Sequence, residues 1–233
     1  MVGIRESDPP EPMPAAAAKP SSIFPDPAFD RAARRRAGGP VCGVDEAGRG
    51  PWAGPVVAAA VTFPRGVTVA GVADSKVLSA EARQDLYKLI VARADVSVVV
   101  ASSSRIDAMN IRGATLWAMT RAVAGLCECP RLALIDGKDV PKGLACAGEP
   151  IVDGDAKSAA IAAASIVAKV TRDRLMQHMA LSFPDYGFER HKGYGTRHHQ
   201  DALASFGPTI HHRRSFRPIR ILLGLEPAEA VAG

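Results

Sequence analysis

Four cysteines among 233 residues, none in a CxxC pair and none at a zinc spacing, exclude a disulfide or zinc framework as the basis of this fold. Cys42, Cys127, Cys129 and Cys146 read instead as free thiols in a reducing compartment. No apolar run approaches the ~20 residues that span a bilayer. The first residues carry acids and prolines where a signal peptide needs a basic start and an apolar stretch, so a cytoplasmic location without a membrane is expected. There is no GxxxxGK[ST] loop, which argues against P-loop nucleotide hydrolysis, and no GxSxG elbow to activate a serine. No internal repeat is visible.

What is present fits one globular domain with some decoration: 47% hydrophobic and 23% charged residues, with a formal net charge of +5. The charge is unevenly placed. Residues 186–220 hold seven Lys/Arg against two Asp/Glu, with five of the six histidines. Such a segment suits a polyanion; a solvated basic surface is the plainer alternative.

Residues 1–38 are rich in proline and alanine and lack apolar periodicity, which predicts a mostly disordered or weakly ordered extension, with a short docking segment around Phe24, Phe29 and Arg31–Arg36. From Val41 strands and helices alternate. Strands are expected at Val41–Asp45, Val56–Phe63, Val96–Ala101, Leu132–Ile135 and Ile151–Val152. Ser79 reads as the cap of a helix to about Arg93 with Leu86, Leu89 and Ile90 inward. Further helices are expected from about Asp107 to Ala124, from Gly154-Asp155 to about Leu181, and from Thr196 to Gly207. This order predicts an α/β fold with a mixed central sheet flanked by helices, comprising a core over 39–181, a basic helical C-terminal appendage over 182–225 and a tail over 226–233.

The chemistry concentrates in Gly43-Val44-Asp45-Glu46-Ala47-Gly48-Arg49-Gly50-Pro51. Neighbouring strand residues point to opposite faces, so Asp45 and Glu46 converge only if the backbone leaves extended geometry. Asp136 ends the strand from Leu132 and precedes Gly137; Asp155 follows Gly154 at a helix start. Strand ends gather along one edge of an α/β sheet, where sites form. Carboxylates brought together there repel and take up protons unless a cation intervenes, and oxygen-only donors favour Mg²⁺ or Mn²⁺. Two such ions clamp the attacking and leaving oxygens of a phosphodiester displacement. Each acid also has a plainer reading: Asp155 as a helix N-cap, Asp136 as a turn residue, Asp45 and Glu46 as acids before a glycine turn.

Taken as a set, GVDEAGRGPWAGPVV, DSK at 74–76, LIDG at 134–137, GD at 154–155, IAAASIVAKVTRD at 161–173, YGFERHKGYGT at 186–196 and HHRRSF at 211–216 resemble ribonuclease HII, the type 2 ribonuclease H family. The resemblance implies a ribonuclease H-like fold. It implies an endoribonuclease that hydrolyses the RNA strand of RNA–DNA hybrids and incises 5′ of single ribonucleotides in duplex DNA, as in ribonucleotide excision repair and DNA replication. Two Mg²⁺ or Mn²⁺ ions would be held by Asp45, Glu46, Asp136 and Asp155, leaving 3′-hydroxyl and 5′-phosphate ends. Gly48, Arg49 and Gly50 would sense the ribose 2′-hydroxyl, Tyr194 would stack on the following deoxyribose, and Lys76 and Lys192 would contact phosphates. A monomer is expected; a replication clamp is a conceivable partner, although no clamp-binding peptide stands out. By composition alone Lys76 reads as surface decoration, Tyr194 as a packed aromatic, and the cluster at 211–214 as a structural or phosphate-facing patch. Three positions depart from the family pattern: Asp153 replaces a common lysine, Trp52 a smaller apolar residue, and Val77 a frequent second lysine.

Overall fold

The computed structural model describes residues 24–73, 75 and 77–226. Lys76, expected at a phosphate, lies outside the described residues, as do 1–23 of the extension and 227–233 of the tail.

The sheet has five strands in the order β3-β2-β1-β4-β5. Strand β1 (Val41–Ala47) pairs antiparallel with β2 (Val56–Thr62), which pairs antiparallel with β3 (Asp95–Ala101). On its other side β1 runs parallel to β4 (Leu132–Asp136), and β4 runs parallel to β5 (Ala147–Ile151). The expected mixed sheet is therefore present, and β1 and β4 deliver their acids to one edge because they run in the same direction.

The faces of the sheet are divided by the two-residue period of the strands. Cys42, Val44, Val56, Ala58 and Ala60 pack on α3 (Ser103–Ala124). Val57, Ala59 and Val61 pack on α2 (Ala80–Arg93) and α4 (Ala159–Ser182). Helix α4 carries alanines at 162, 163, 164 and 168, all fully buried, so its axis comes close to the sheet. At Gly43 the approach leaves no room for a side chain: a Cβ there would fall 2.1 Å from the Ala160 carbonyl carbon. That contact fixes the start of α4 against β1, two residues before Asp45.

Several expected boundaries move. Helix α3 begins at Ser103, capped by Ser102, and is broken at Asn110, whose φ of 56° and ψ of 168° are non-helical and whose side chain accepts from the Gly113 N–H. Gly154–Ala156 forms a separate 3-10 turn, and α4 starts four residues after Asp155, with the Ser158 hydroxyl accepting from the Ile161 N–H. Asp155 therefore does not cap the long helix. Leu86 and Ile90 of α2 pack into the core between sheet and α4, whereas Leu89, expected inward with them, lies at the margin of that face and is exposed. Strand β5 is longer than expected; as an exposed edge it carries too little hydrophobic pattern to be seen.

The weakly ordered extension expected over 1–38 also differs where it is described. Pro27–Ala37 forms α1, capped by Asp26, with Phe29, Ala33 and Ala37 packed on Val41, Leu132, Leu134 and Ile161. Asp30 reaches across to accept from the Ala160 N–H at 3.1 Å, giving α4 a second acceptor at its N-terminus. At the other end of the chain, α5 (Phe188–His191), α6 (Arg197–Phe206) and α7 (Arg217–Leu222) make the helical C-terminal region, with their own core around Met176, Phe188, Leu203 and Ile219.

Candidate active site

Regular pairing persists through Asp45 and Glu46, which stand opposite Ala59 and Ala58. The backbone leaves extended geometry only at Gly48, where φ is 96°. The expectation that these acids converge through an irregular backbone is thus corrected: Asp45 faces α4 and Glu46 faces α3, as strand alternation dictates. What joins them is the neighbouring parallel strand, whose last residue, Asp136, lies beside both.

Asp45 is buried, accepts from the Glu46 N–H at 2.7 Å and is hydrogen-bonded by Ser165 of α4. Ser165 in turn shares a 2.9 Å hydrogen bond with the buried hydroxyl of Ser75. Burial, reinforced by the Glu46 and Asp136 carboxylates, holds the Asp45 pKa well above the ordinary aspartate range. Glu46 is also raised, chiefly by burial; Arg49 opposes the shift and Asp136 adds to it. Asp136 Oδ1 accepts from the Gly154 N–H at 2.8 Å, which draws the turn containing buried Asp155 to the end of β4.

Glu46 and Asp136 open onto a cleft completed by Arg49, Arg112, Lys138 and Asp139. Arg112 holds Asp139 through two bonds of 2.9 and 2.8 Å, tying α3 to the loop after β4 and keeping Asp139 below the usual carboxylate range. Arg49 donates to Glu46 Oε1 at 3.3 Å.

The donor set suits a hard divalent cation: carboxylate oxygens only, crowded and desolvated enough to hold protons above their normal range. The Arg49 guanidinium already acts as a stand-in cation on Glu46. The arrangement is not that of a bound ion. Among the described residues, no three Asp, Glu, His or Cys side chains surround one point as ligands. The residues fit the ion in chemistry and charge, with Arg49 in the place a cation would take beside Glu46.

Beside the acids, three segments distant in sequence close into one surface. Trp52 N–H donates to the Gly193 carbonyl, Arg213 N–H to the Trp52 carbonyl, and Gly54 N–H to the His211 carbonyl. Tyr194 is half exposed at 51%, and a Cβ on Gly50 would touch its ring at 3.5 Å, so the Gly48-Arg49-Gly50 loop and this ring are neighbours. Lys192 sits at the C-cap of α5 with φ of 52°, its ammonium on the Glu189 carbonyl, its pKa lowered mainly by burial. Trp52 packs against Gly195, where any Cβ would fall 2.2 Å from the ring. Asp153 is exposed in a left-handed conformation, and Val77 is exposed; nothing in the structure explains either departure.

The structure also brings in residues that sequence reasoning missed, Arg172 above all, and gives a structural role to Arg213, which the sequence placed in a structural or phosphate-facing patch at 211–214. Arg172, buried on α4, donates to the Pro55, Ala53 and Lys192 carbonyls; Arg213 donates to those of Gly54, Arg49 and Gly48. Ser165 falls in the same class. Arg172 lies four residues before Met176 and four after Ala168, both fully buried, so helical periodicity marks its inward direction. Arg112 carries no comparable signal, since its partner Asp139 lies 27 residues away.

Residues 42–218 match the family model described as ribonuclease HII. The ribonuclease HII of Sinorhizobium medicae is 54% identical over 198 residues, covering 85% of this chain and 92% of that protein. Among solved structures, the ribonuclease H2 of Pyrococcus horikoshii superposes with a TM-score of 0.66 at 27% identity, over 78% of this chain and 96% of that one. The RNase HII of Archaeoglobus fulgidus, determined in complex with PCNA, gives 0.64 at 26% identity, over 76% and 95%.

Proposed function

The chain belongs to the ribonuclease HII family, endonucleases that cleave RNA in RNA–DNA hybrids and have a ribonuclease H-like fold, and on that premise we propose that it incises 5′ of single ribonucleotides in duplex DNA by two-metal phosphodiester hydrolysis. The observation that carries the reading is the meeting of Asp45, Glu46 and Asp136 at one sheet edge, with two of the three carboxylates driven toward protonation. Asp155, on the turn that Asp136 draws in, completes the proposed metal-binding set. Metal dependence is general in this family; Asp45, Glu46, Asp136 and Asp155 would hold Mg²⁺ or Mn²⁺, which would supply positive charge for the phosphate and the attacking water, and the proposed products carry 3′-hydroxyl and 5′-phosphate ends.

The chain's own groups do the rest. Ser165 and the Glu46 N–H orient Asp45. The Gly154 N–H orients Asp136 and leaves its second oxygen for the cleft. The Gly48-Arg49-Gly50 loop reads the 2′-hydroxyl through backbone groups, the atom set that separates ribose from deoxyribose, in the wide minor groove of an A-like duplex. Tyr194 offers a ring for the following sugar, and Lys192 and Lys76 supply cations for the phosphates.

We assign the catalytic core to 39–181, the basic helical region to 182–225, and the remainder to extension and tail. No helix among the described residues is long and apolar enough to cross a membrane. A cytoplasmic monomer is proposed, and the archaeal relative's complex with PCNA supports a sliding clamp as a protein partner.

The test is cleavage of a duplex carrying one ribonucleotide, with Mg²⁺, Mn²⁺ or chelator, by wild type and Asp136→Ala. Expected is metal-dependent incision 5′ of the ribonucleotide, absent from all-DNA duplex and abolished in the variant while binding survives. Near wild-type cleavage by Asp136→Ala, or equal cleavage of all-DNA duplex, overturns the reading.

A further inference from the structure

A buried charge is normally paired with an opposite one, because desolvating it alone costs several kcal/mol or more. Arg172 and Arg213 are 2% and 0% exposed, and neither makes an ion pair with a described residue. All six of their hydrogen bonds end on backbone carbonyls, five of them in the segment 48–55. Two desolvated guanidinium groups are thus committed to holding one loop.

The direction of those bonds matters. Arg213 Nη2 donates to the Gly48 carbonyl at 2.5 Å and Nη1 to the Arg49 carbonyl at 2.8 Å. These carbonyls belong to the peptide units that also carry the Arg49 and Gly50 N–H groups. No cis peptide bond occurs among the described residues, so in each unit the N–H points opposite to its C=O. With both oxygens drawn inward to Arg213, both N–H groups face outward. Arg49 and Gly50 are exposed, and no described residue accepts from their N–H groups. Behind them Arg172 closes the support: a Cβ on Gly48 would fall 1.9 Å from its Nε. Phe216, 5.0 Å from the Arg213 guanidinium carbon, covers the other side.

We propose that Arg213, backed by Arg172, is the positioning residue for ribose discrimination: it fixes the Arg49 and Gly50 amides in the orientation that meets the 2′-hydroxyl. The proposal rests on the reading of Gly48-Arg49-Gly50 as the ribose sensor and adds the group that aims it. A lysine at 213 retains the charge but cannot span two carbonyls with a fixed planar fork.

The test compares wild type and Arg213→Lys by fluorescence anisotropy in chelator, on a duplex with one ribonucleotide and on its all-deoxy counterpart. Wild type is expected to prefer the ribonucleotide duplex; the variant should lose about fivefold or more of that preference, with all-deoxy affinity changed less than about twofold. Thermal unfolding of the variant shows whether the fold survives. If it does not, amide NMR on wild type decides: the Arg49 and Gly50 signals should move on adding the ribonucleotide duplex and stay in place with the all-deoxy one. A folded Arg213→Lys with undiminished preference overturns the assignment of Arg213 alone. Absence of any preference in wild type, or both amides unmoved, overturns the sensor reading and the proposal with it.

Discussion

The Nε2 atoms of His199 and His212 lie 2.9 Å apart in the interior, and their surroundings fix which of them carries a proton. The Thr209 N–H donates to His212 Nδ1 at 2.9 Å, so the His212 proton is on Nε2 and points at His199. His199 receives it on Nε2 and donates from Nδ1 to the Tyr194 carbonyl, also at 2.9 Å. Both rings are therefore neutral, and the backbone of Tyr194 is held by a chain that begins fifteen residues downstream, at Thr209.

Acidification should break that chain. Burial, the largest cause in both, lowers His199 and His212 from 6.5 to about 4. Between those values the unfolded state binds more protons than the folded one, so stability is complete above pH 6.5 and declines as pH falls toward 4. The melting temperature at pH 5 should lie about 5 °C or more below that at pH 7. Replacing both histidines by glutamine should lower the pH 7 value and flatten this dependence; an equally steep profile in the double variant contradicts the assignment.

If Glu46 holds a divalent cation as proposed, Arg49 should compete with it. Arg49→Ala removes the 3.3 Å contact and leaves the carboxylate without its resident positive charge. Calorimetric titration with Mn²⁺ should show affinity rising about two- to fivefold, the scale of an exposed ion pair. Weaker binding would mean that Arg49 supports the ion instead of excluding it.

Asp30 links α1 to the helix nearest the acids, accepting from Ala160 N–H and bonded to Ser158. Asp30→Ala should cost about 1 kcal/mol, or ~2–4 °C in melting temperature, as loss of a cap does. Cleavage per folded molecule at 25 °C should change less than about twofold. A large kinetic defect with normal stability would place Asp30 in the reaction instead.

Gly43→Ala offers a sharper test of the β1–α4 contact. Its Cβ would meet the backbone of Ala160 and Ile161 at 2.1 Å, and backbone cannot swing aside as a side chain can. A loss of more than about 3 kcal/mol is expected, seen as a melting point at least ~6 °C lower or as insoluble protein. Gly38→Ala, with nothing within 4 Å of the new atom, should cost only about 1 kcal/mol for its left-handed φ of 66°.

Much of this arrangement was legible beforehand for physical reasons. Strands that end in an acid followed by glycine, as at Asp136-Gly137, announce both their termination and their chemistry. Gly48, Arg49 and Gly50 were marked by composition. The meeting of Asp45 and Asp136 needed the parallel pairing of β1 and β4, whose register is set by contacts some 90 residues apart. The start of α4 was misplaced because Asp155 and Ser158 are both good caps, and only the three-dimensional turn decides between them. Helix α1 was read only as a short docking segment around Phe29 and Arg31–Arg36, since its apolar face is just Phe29, Ala33 and Ala37 amid arginines and prolines. The role of Arg172 was hidden for another reason, and that of Arg213 was left open between a structural and a phosphate-facing patch: carbonyl partners leave no trace in a sequence, whereas a carboxylate partner would.

The dependence of residues 48–50 on Arg213 has a bearing on synthesis. All four carboxylates have left the ribosome well before residue 213 does, whereas the support for the Gly48-Arg49-Gly50 loop comes 164 and 165 positions after the residues it holds. A growing or prematurely terminated polypeptide lacking that arginine would gather its acids without the means to choose a target. On the proposed role of Arg213, selectivity would be reserved for the finished molecule.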